Sequence, residues 1–320
     1  MRQPVSEHRY LLRRFVVLAA IGLVLYGAVT VVNTVIGDSD DDAPAADAAT
    51  APPAVTSTVA AGPLAAGPQA ASATAATAAP AGPSRPTPDD PARVLIVGDS
   101  DAGTFGPYLE LLLGENDEVD ALVDVTLDYV VSSGLSRPDF HDWPDHLRDS
   151  LAEVDPDIVI VTFGGNDAQG LSEPCPGGPR TCQPQWVVGD PVPNAAAWTA
   201  EYGRRVDEVL DLLLEGDRRV IWVGIPNAES ETMTAGLELQ DRTVSRAVAE
   251  REGVVFVDTW DRFDGRNGGY AAYVQDPRDG RAKPIRASDG FHLNATGAEI
   301  LALDIFDEVV GQLVDLGAAL

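Results

Sequence analysis

From Arg93 onward, short apolar runs alternate with longer amphipathic stretches. RVLIVG (93–98), VDVTLDYVV (123–131), DIVIVTFG (157–164), RVIWVG (219–224) and VVFVDT (254–259) are short and rich in β-branched residues, and are predicted as strands. Apolar residues at helical spacing recur between them near 104–113, 144–153, 195–215 and 235–251, and again near 295–316. Strands apolar on both faces and separated by helices predict a parallel sheet covered on each side. The expected fold class is therefore α/β, a three-layer α/β/α sandwich on a five-stranded parallel sheet. In such sheets ligands bind beyond the carboxyl ends of the strands. The residues that follow each strand are thus the place to look for chemistry.

The first 92 residues lack this patterning. Residues 15–36, FVVLAAIGLVLYGAVTVVNTVI, carry no charge. At about 1.5 Å per residue, a helix of that length crosses the roughly 30 Å hydrocarbon layer of a membrane. Arg2, Arg9, Arg13 and Arg14 precede it, and Asp38, Asp40, Asp41 and Asp42 follow. That asymmetry predicts a cytoplasmic stretch over 1–14, a transmembrane anchor over 15–36 and an extracytoplasmic remainder. The rival reading is a cleaved signal peptide; the length of the run and the lack of a small-x-small site directly after it favour the anchor. Residues 37–92 are rich in Ala, Pro, Thr, Gly and Ser and hold almost no large apolar residue. They cannot bury enough surface to offset their ordering entropy, so a disordered tether is expected there, with a folded domain over 93–320.

Charge narrows the function. Fifty acidic against 22 basic residues leave a net charge of -28, which repels nucleic-acid phosphates and excludes DNA or RNA as an expected partner. Cys175 and Cys182 are the only cysteines and lie in the Pro/Gly segment CPGGPRTC. Outside the membrane such a pair is expected to close a disulfide; a metal site is disfavoured by the spacing and by the lack of a nearby histidine.

Four segments beyond strand ends can meet at one sheet edge: Gly98-Asp99-Ser100, Ser132-Ser133-Gly134, Gly164-Gly165-Asn166-Asp167 and, before the last helix, Asp289-Gly290-Phe291-His292. Ester hydrolysis needs a nucleophile, a base, a group that orients the base and donors for an oxyanion. Ser100 stands at a sharp strand-to-helix turn, His292 can exchange its proton, and Asp289 can hold the imidazole from three residues earlier. The N–H groups of Ser100 and Gly134 and the amide of Asn166 are the candidate oxyanion donors. Asp99 and Asp167 are read as structural acceptors for loop N–H groups. Of the other histidines, His8 precedes the anchor, and His141 and His146 are read as surface residues in DFHDWPDHLRD. Arg137, Trp143 and Arg286, together with Asp101, are candidate lining for a substrate cleft. Trp186 and Trp198 flank a Cys-bearing insertion over 168–199 that reads as a lid or a long stabilised loop.

These blocks resemble those of the SGNH, or GDSL, hydrolase superfamily: Ser100 in GDS, Gly134 in SSGLSRPDF, Asn166 in GGND and His292 in DGFH, in order along 93–316. The resemblance implies a flavodoxin-like sheet, serine ester chemistry and no metal or cofactor. SGLSRPDFHDWP and IRASDGFHLNATGA resemble a membrane-anchored bacterial envelope subgroup. By analogy, that implies O-acyl esters on cell-envelope carbohydrate, or another small ester, as substrate. One departure stands beside the nucleophile: Asp101 replaces the usual leucine. A carboxylate there can disfavour an oxyanion, raise the pKa of His292 or contact substrate, and it argues against lipase-like, apolar substrates. Two alternatives stay open: an O-acyltransferase using the same triad, with a membrane acyltransferase as donor partner, and a non-catalytic glycan-binding or scaffold module.

Overall fold

The computed structural model describes residues 85–266 and 268–320. The expected anchor at 15–36 and the expected linker up to residue 84 lie outside the described residues. Among the described residues no helix is long and apolar enough to cross a membrane. The last stretch expected as linker forms a turn, closed by Thr87 and Asp90 backbone bonds of 2.9 and 3.1 Å, that leads into the first strand.

The chain then runs β1 (Ala92–Gly98), α1 (Ser100–Glu115), β2 (Val123–Tyr129), α2 (Trp143–Val154), β3 (Ile158–Thr162), β4 (Leu171–Ser172), β5 (Trp186–Val188) and α3 (Ala195–Leu214). It continues through β6 (Arg219–Val223), α4 (Glu231–Ala249), β7 (Val254–Val257), β8 (Tyr273–Gln275), β9 (Ala282–Pro284) and α5 (Ala295–Asp315). Five strands form one parallel sheet in the order β2-β1-β3-β6-β7, the flavodoxin-like order. Two short antiparallel pairs, β4-β5 and β8-β9, stand apart from it.

Alternation along the buried strands sorts the core into two layers. Val94 and Ile96 of β1, Ile158 and Ile160 of β3, and Ile221 and Val223 of β6 face Phe105, Leu109 and Leu113 of α1 and Ile300, Ile305 and Val309 of α5. Leu95, Val97, Val159, Val161, Val220 and Trp222 face the other way, against Trp143 and Leu147 of α2, Trp198 and Val206 of α3, and Val244 of α4. The result is the expected three-layer sandwich. The edge strands β2 and β7 are the exceptions to two-sided burial: residues 123–126 of β2 alternate between half-buried and exposed, and residues 254–256 of β7 are half-buried.

Helix starts follow their caps. Asp99 accepts from Asp101 N and opens α1 at Ser100, four residues before the apolar periodicity begins. Ser230 accepts from Met233 N at 3.3 Å and starts α4 ahead of its apolar stripe. Asn294 accepts from Gly297 N at 3.1 Å and opens α5. β1 lies between β2 and β3, with Gly98 level with Tyr129 on one side and Thr162 on the other. The crossover direction changes at β1, and a crevice opens beyond such a switch point.

Candidate active site

Ser100 enters this crevice because the chain turns sharply at Gly98. Gly98 has φ +149°, and a Cβ there would lie 2.0 Å from the Thr162 carbonyl oxygen, so only glycine lets β1 close onto β3 and still turn. Asp99 is fully buried and stitches the turn together: its carboxylate accepts from Asp101 N at 3.0 Å and from Gly164 N at 2.8 Å. Burial and the neighbouring Asp101 push the Asp99 carboxyl upward, against those two bonds. Ser100 is the first residue of α1, where a backbone N–H has no intrahelical acceptor and the helix dipole favours negative charge.

The turn before α5 delivers the imidazole. Asp289 Oδ1 accepts from the N–H groups of Phe291 (2.9 Å) and His292 (3.0 Å), which folds the tetrapeptide 289–292 tightly around the carboxylate. Gly290 takes φ +71° at the corner. Asp289 Oδ2 then lies 2.6 Å from His292 Nδ1, and His292 Nε2 lies 3.1 Å from Ser100 Oγ. An ionised carboxylate only accepts, so Nδ1 carries a proton and, in the neutral ring, Nε2 is left to accept from the serine hydroxyl. Burial works to raise the Asp289 pKa, but the bonds from the His292 ring and the two N–H groups outweigh it and hold it at about 2. Burial likewise works to lower His292, but the Asp289 bond and the charges of Asp101, Asp289 and Asp99 outweigh it and lift the imidazole to about 9. The arrangement can move a proton from a hydroxyl to an imidazole and keep the resulting imidazolium paired.

Two further loops flank β1. Asp167 is fully buried and accepts from Leu135 N (2.9 Å), Ser136 N (2.8 Å) and Tyr202 Oη (2.7 Å), so it ties the loop after β3 to the loop after β2. Gly134 packs directly on that carboxylate; a Cβ there would sit 2.1 Å from Asp167 Oδ1. The Asn166 carbonyl accepts from Ser136 Oγ at 3.2 Å. Gln240 of α4 donates to the carbonyls of Phe163 (2.7 Å) and Gly164 (3.2 Å). Gly134 and Asn166 are thereby held at the same sheet edge as Ser100, on either side of the end of β1.

The cleft candidates divide. Trp143 is fully buried and donates its indole N–H to Ser133 Oγ at 3.0 Å; it is core at the start of α2 and lines no cleft. Arg286 is also buried. It donates to the carbonyls of Phe291 (2.9 Å) and Ala271 (3.3 Å) and to Asn227 Oδ1 (3.2 Å), so it braces the 289–292 turn from behind. Arg137 stays near the surface, paired to Asp139 by two 2.7 Å bonds and 5.1 Å from the ring of Trp186, which is 53% exposed. Asp101 lies beside Ser100 with its Oδ2 buried.

His141 and His146, read as surface residues, are half-buried and pack edge-on with Trp143. His146 binds Asp128 at 2.9 Å, and burial drives His141 down to about 4. Cys175 and Cys182 form a disulfide, with Cα atoms 5.6 Å apart, within the insertion that also contributes the β4-β5 pair. Trp198, at the far end of that insertion, is core and donates to the Gln169 carbonyl at 2.7 Å.

Sequence reasoning missed Arg205, which is buried in α3 and donates to the carbonyls of Leu135 and Ser172 at 2.7 Å each. The signal was there: 205 falls on the apolar stripe of Trp198, Tyr202, Val206 and Val209, where an arginine is retained only if its donors find acceptors.

Residues 93–308 match the family described as "Protein of unknown function (DUF459)". Among solved structures, the chain is similar to a lipase/acylhydrolase from Enterococcus faecalis at 18% identity, covering 69% of this chain and 95% of that one, TM-score 0.44. It is similar to a catalytic mutant of an acetylxylan esterase from Geobacillus stearothermophilus at 16% identity, covering 68% and 94%, TM-score 0.47. A GDSL-like lipase from Bacteroides thetaiotaomicron gives 13% identity over 71% and 92%, TM-score 0.44. The comparison with curated proteins finds no match.

Proposed function

We propose that this chain, which belongs to the DUF459 family, is a serine carboxylic-ester hydrolase with Ser100 as nucleophile, His292 as general base and Asp289 as its orienting carboxylate. One observation carries the reading: a single imidazole bridges the Ser100 hydroxyl at 3.1 Å and the Asp289 carboxylate at 2.6 Å, from segments 192 residues apart. Unrelated core packing gives no reason for that chain of bonds at a switch-point crevice.

In this mechanism Ser100 Oγ attacks the ester carbonyl carbon while its proton passes to His292 Nε2. The tetrahedral oxyanion is received by the N–H groups of Ser100 and Gly134 and by the Asn166 side-chain amide. His292 returns the proton to the departing alcohol as the carbon–oxygen bond breaks, leaving an acyl-Ser100 ester. Water then attacks the acyl carbon and gives a proton to His292; the bond from that carbon to Ser100 Oγ breaks, His292 returns the proton to Ser100 Oγ, and the carboxylic acid leaves.

The finer reading is that the acyl groups are acetyl or short-chain and sit on cell-envelope carbohydrate. The envelope location is supported by residues 15–36, outside the described residues, which have the length and flanking charge of an anchor that exports the domain. The His292 and Asp289 side chains keep 33% and 46% exposure, which leaves water free to reach an acyl-Ser100 ester.

Turnover of a short-chain nitrophenyl ester by the full chain, abolished in Ser100→Ala, is the expected result. Release of acetate from an O-acetylated glycan, with an octanoyl ester turned over far more slowly, is expected for the substrate class. A folded wild-type chain inert towards short esters would overturn the esterase reading.

A further inference from the structure

The crevice contains a carboxylate that the steps above do not use. Asp101 follows the nucleophile directly and lies on the first turn of α1. Its Oδ2 is buried without a hydrogen-bond partner among the described residues. That oxygen fits over Gly164: a Cβ at 164 would stand 1.6 Å from it, so the glycine makes the room that the carboxylate fills. Asp101 also shares with Thr162 and Leu293 the wall of a cavity of about 10 Å³, the space of one water molecule, behind the His292 turn. Burial pushes the Asp101 carboxyl upward, while the charge of His292 and the Gly165 N–H pull it back toward the ionised form.

The other charged groups around the imidazole come from three elements. Asp289 and Arg286 lie on its own loop and Asp99 at the head of α1. Glu229 is on the loop after β6, where its N–H donates to the Gly290 carbonyl at 2.8 Å. Arg286, the cation among them, is committed to carbonyls and to Asn227 and is itself surrounded by Asp101, Asp264 and Asp289. Asp99 has both carboxylate oxygens on backbone N–H groups. Asp101 is therefore the carboxylate of this group with a buried oxygen that no described residue bonds, and the imidazolium is a counter-charge available to it.

We propose that Asp101 is a second anionic partner of His292, a positioning residue that acts through charge, stabilises the imidazolium and sets the pH range in which the ring works as a base. This rests on the esterase reading of the same site. The effect has two opposite consequences. A stabilised imidazolium holds its proton to higher pH, so the resting enzyme becomes competent only as the medium turns alkaline. The same stabilisation lowers the barrier once the neutral ring takes the serine proton, because the transition state also contains an imidazolium.

The test compares the full chain with Asp101→Asn, which keeps the shape, and Asp101→Leu, which removes all polarity. Two readouts are needed. The pH profile of kcat/KM for a short nitrophenyl ester should show its rising limb displaced toward neutrality by about one pH unit in both variants, with the alkaline plateau lowered by up to about tenfold. A merely structural role would lower the plateau without moving the limb. The second readout is independent of turnover: the NMR titration of His292 in chain labelled with 15N-histidine, assigned among the four histidines with His292→Gln. Its midpoint should fall by the same amount. An unmoved His292 midpoint in folded Asp101→Asn overturns the proposal whatever the turnover. A displaced midpoint in a chain that hydrolyses no ester supports the charge pairing and overturns the esterase reading instead.

Discussion

Replacing Asp167 by alanine should destabilise the fold and degrade the crevice together, and the structure sets the size of the effect. The carboxylate is fully buried and accepts three bonds of 2.7–2.9 Å, from Leu135 N, Ser136 N and Tyr202 Oη. Alanine leaves two backbone N–H groups and a phenol without acceptors, each at a cost of about 1–3 kcal/mol. Burial already disfavours the carboxylate, as its upward-shifted pKa records, so removal also recovers part of its desolvation cost. The net expectation is a loss of about 3–5 kcal/mol, a large share of the roughly 5–15 kcal/mol available to a domain. Tyr202→Phe removes one donor only and should cost about 1 kcal/mol. In the alanine background the phenol has already lost its acceptor, so Tyr202→Phe should then cost nothing or stabilise. Urea unfolding of the four chains, with a shared denaturant slope, measures the cycle. Ester turnover under native conditions should fall with Asp167→Ala, because Gly134 rests on the lost carboxylate. A cost below about 1 kcal/mol for Asp167→Ala, or an equal cost of Tyr202→Phe in both backgrounds, refutes the account of this tie.

Further expectations follow from the same contacts. Asp289→Asn keeps the shape but puts a donor against the imidazole, and kcat should drop by about 10⁴ while circular dichroism shows the fold unchanged. Arg286→Met removes the brace on the Phe291 carbonyl, and should lower kcat at least about tenfold with KM nearly constant, as for loss of orientation. Reduction of Cys175–Cys182, whose partners are seven positions apart, should cost about 2–2.5 kcal/mol by loop entropy and leave short-ester turnover in place. Folding lifts His292 from the ordinary histidine value of 6.5 to about 9, so its contribution to stability is complete below pH 6.5 and is lost as pH rises through 9. In His292→Gln, urea midpoints across that window should lose this part of their slope.

The parallel sheet was legible because β1, β3 and β6 are buried on both faces, so each reads as an unbroken apolar run. The segments beyond the strand ends were legible for a related reason: fold class alone says that chemistry gathers there. The two- and three-residue hairpins β4-β5 and β8-β9 were not, since such short strands complete hardly one period. Burial of polar and aromatic residues in loops was also beyond pattern reading. Arg286 looks like a surface cation until the Phe291 carbonyl is seen folding back onto it. Trp143 was recoverable: it stands four and eight residues before Leu147 and Leu151, on the stripe that α2 turns inward. Where Asp101 lies relative to the imidazole depends on three segments converging, and no spacing along the chain encodes that.

The claim on which all of this depends is that Ser100 is made nucleophilic by His292, and covalent trapping addresses it directly. The full chain should take up one equivalent of a fluorophosphonate, with the adduct on the peptide containing Ser100, and Ser100→Ala should take up none. His292→Gln, equally folded, should react far more slowly. A folded wild-type chain that stays unmodified, or an adduct that persists in Ser100→Ala, would contradict the account.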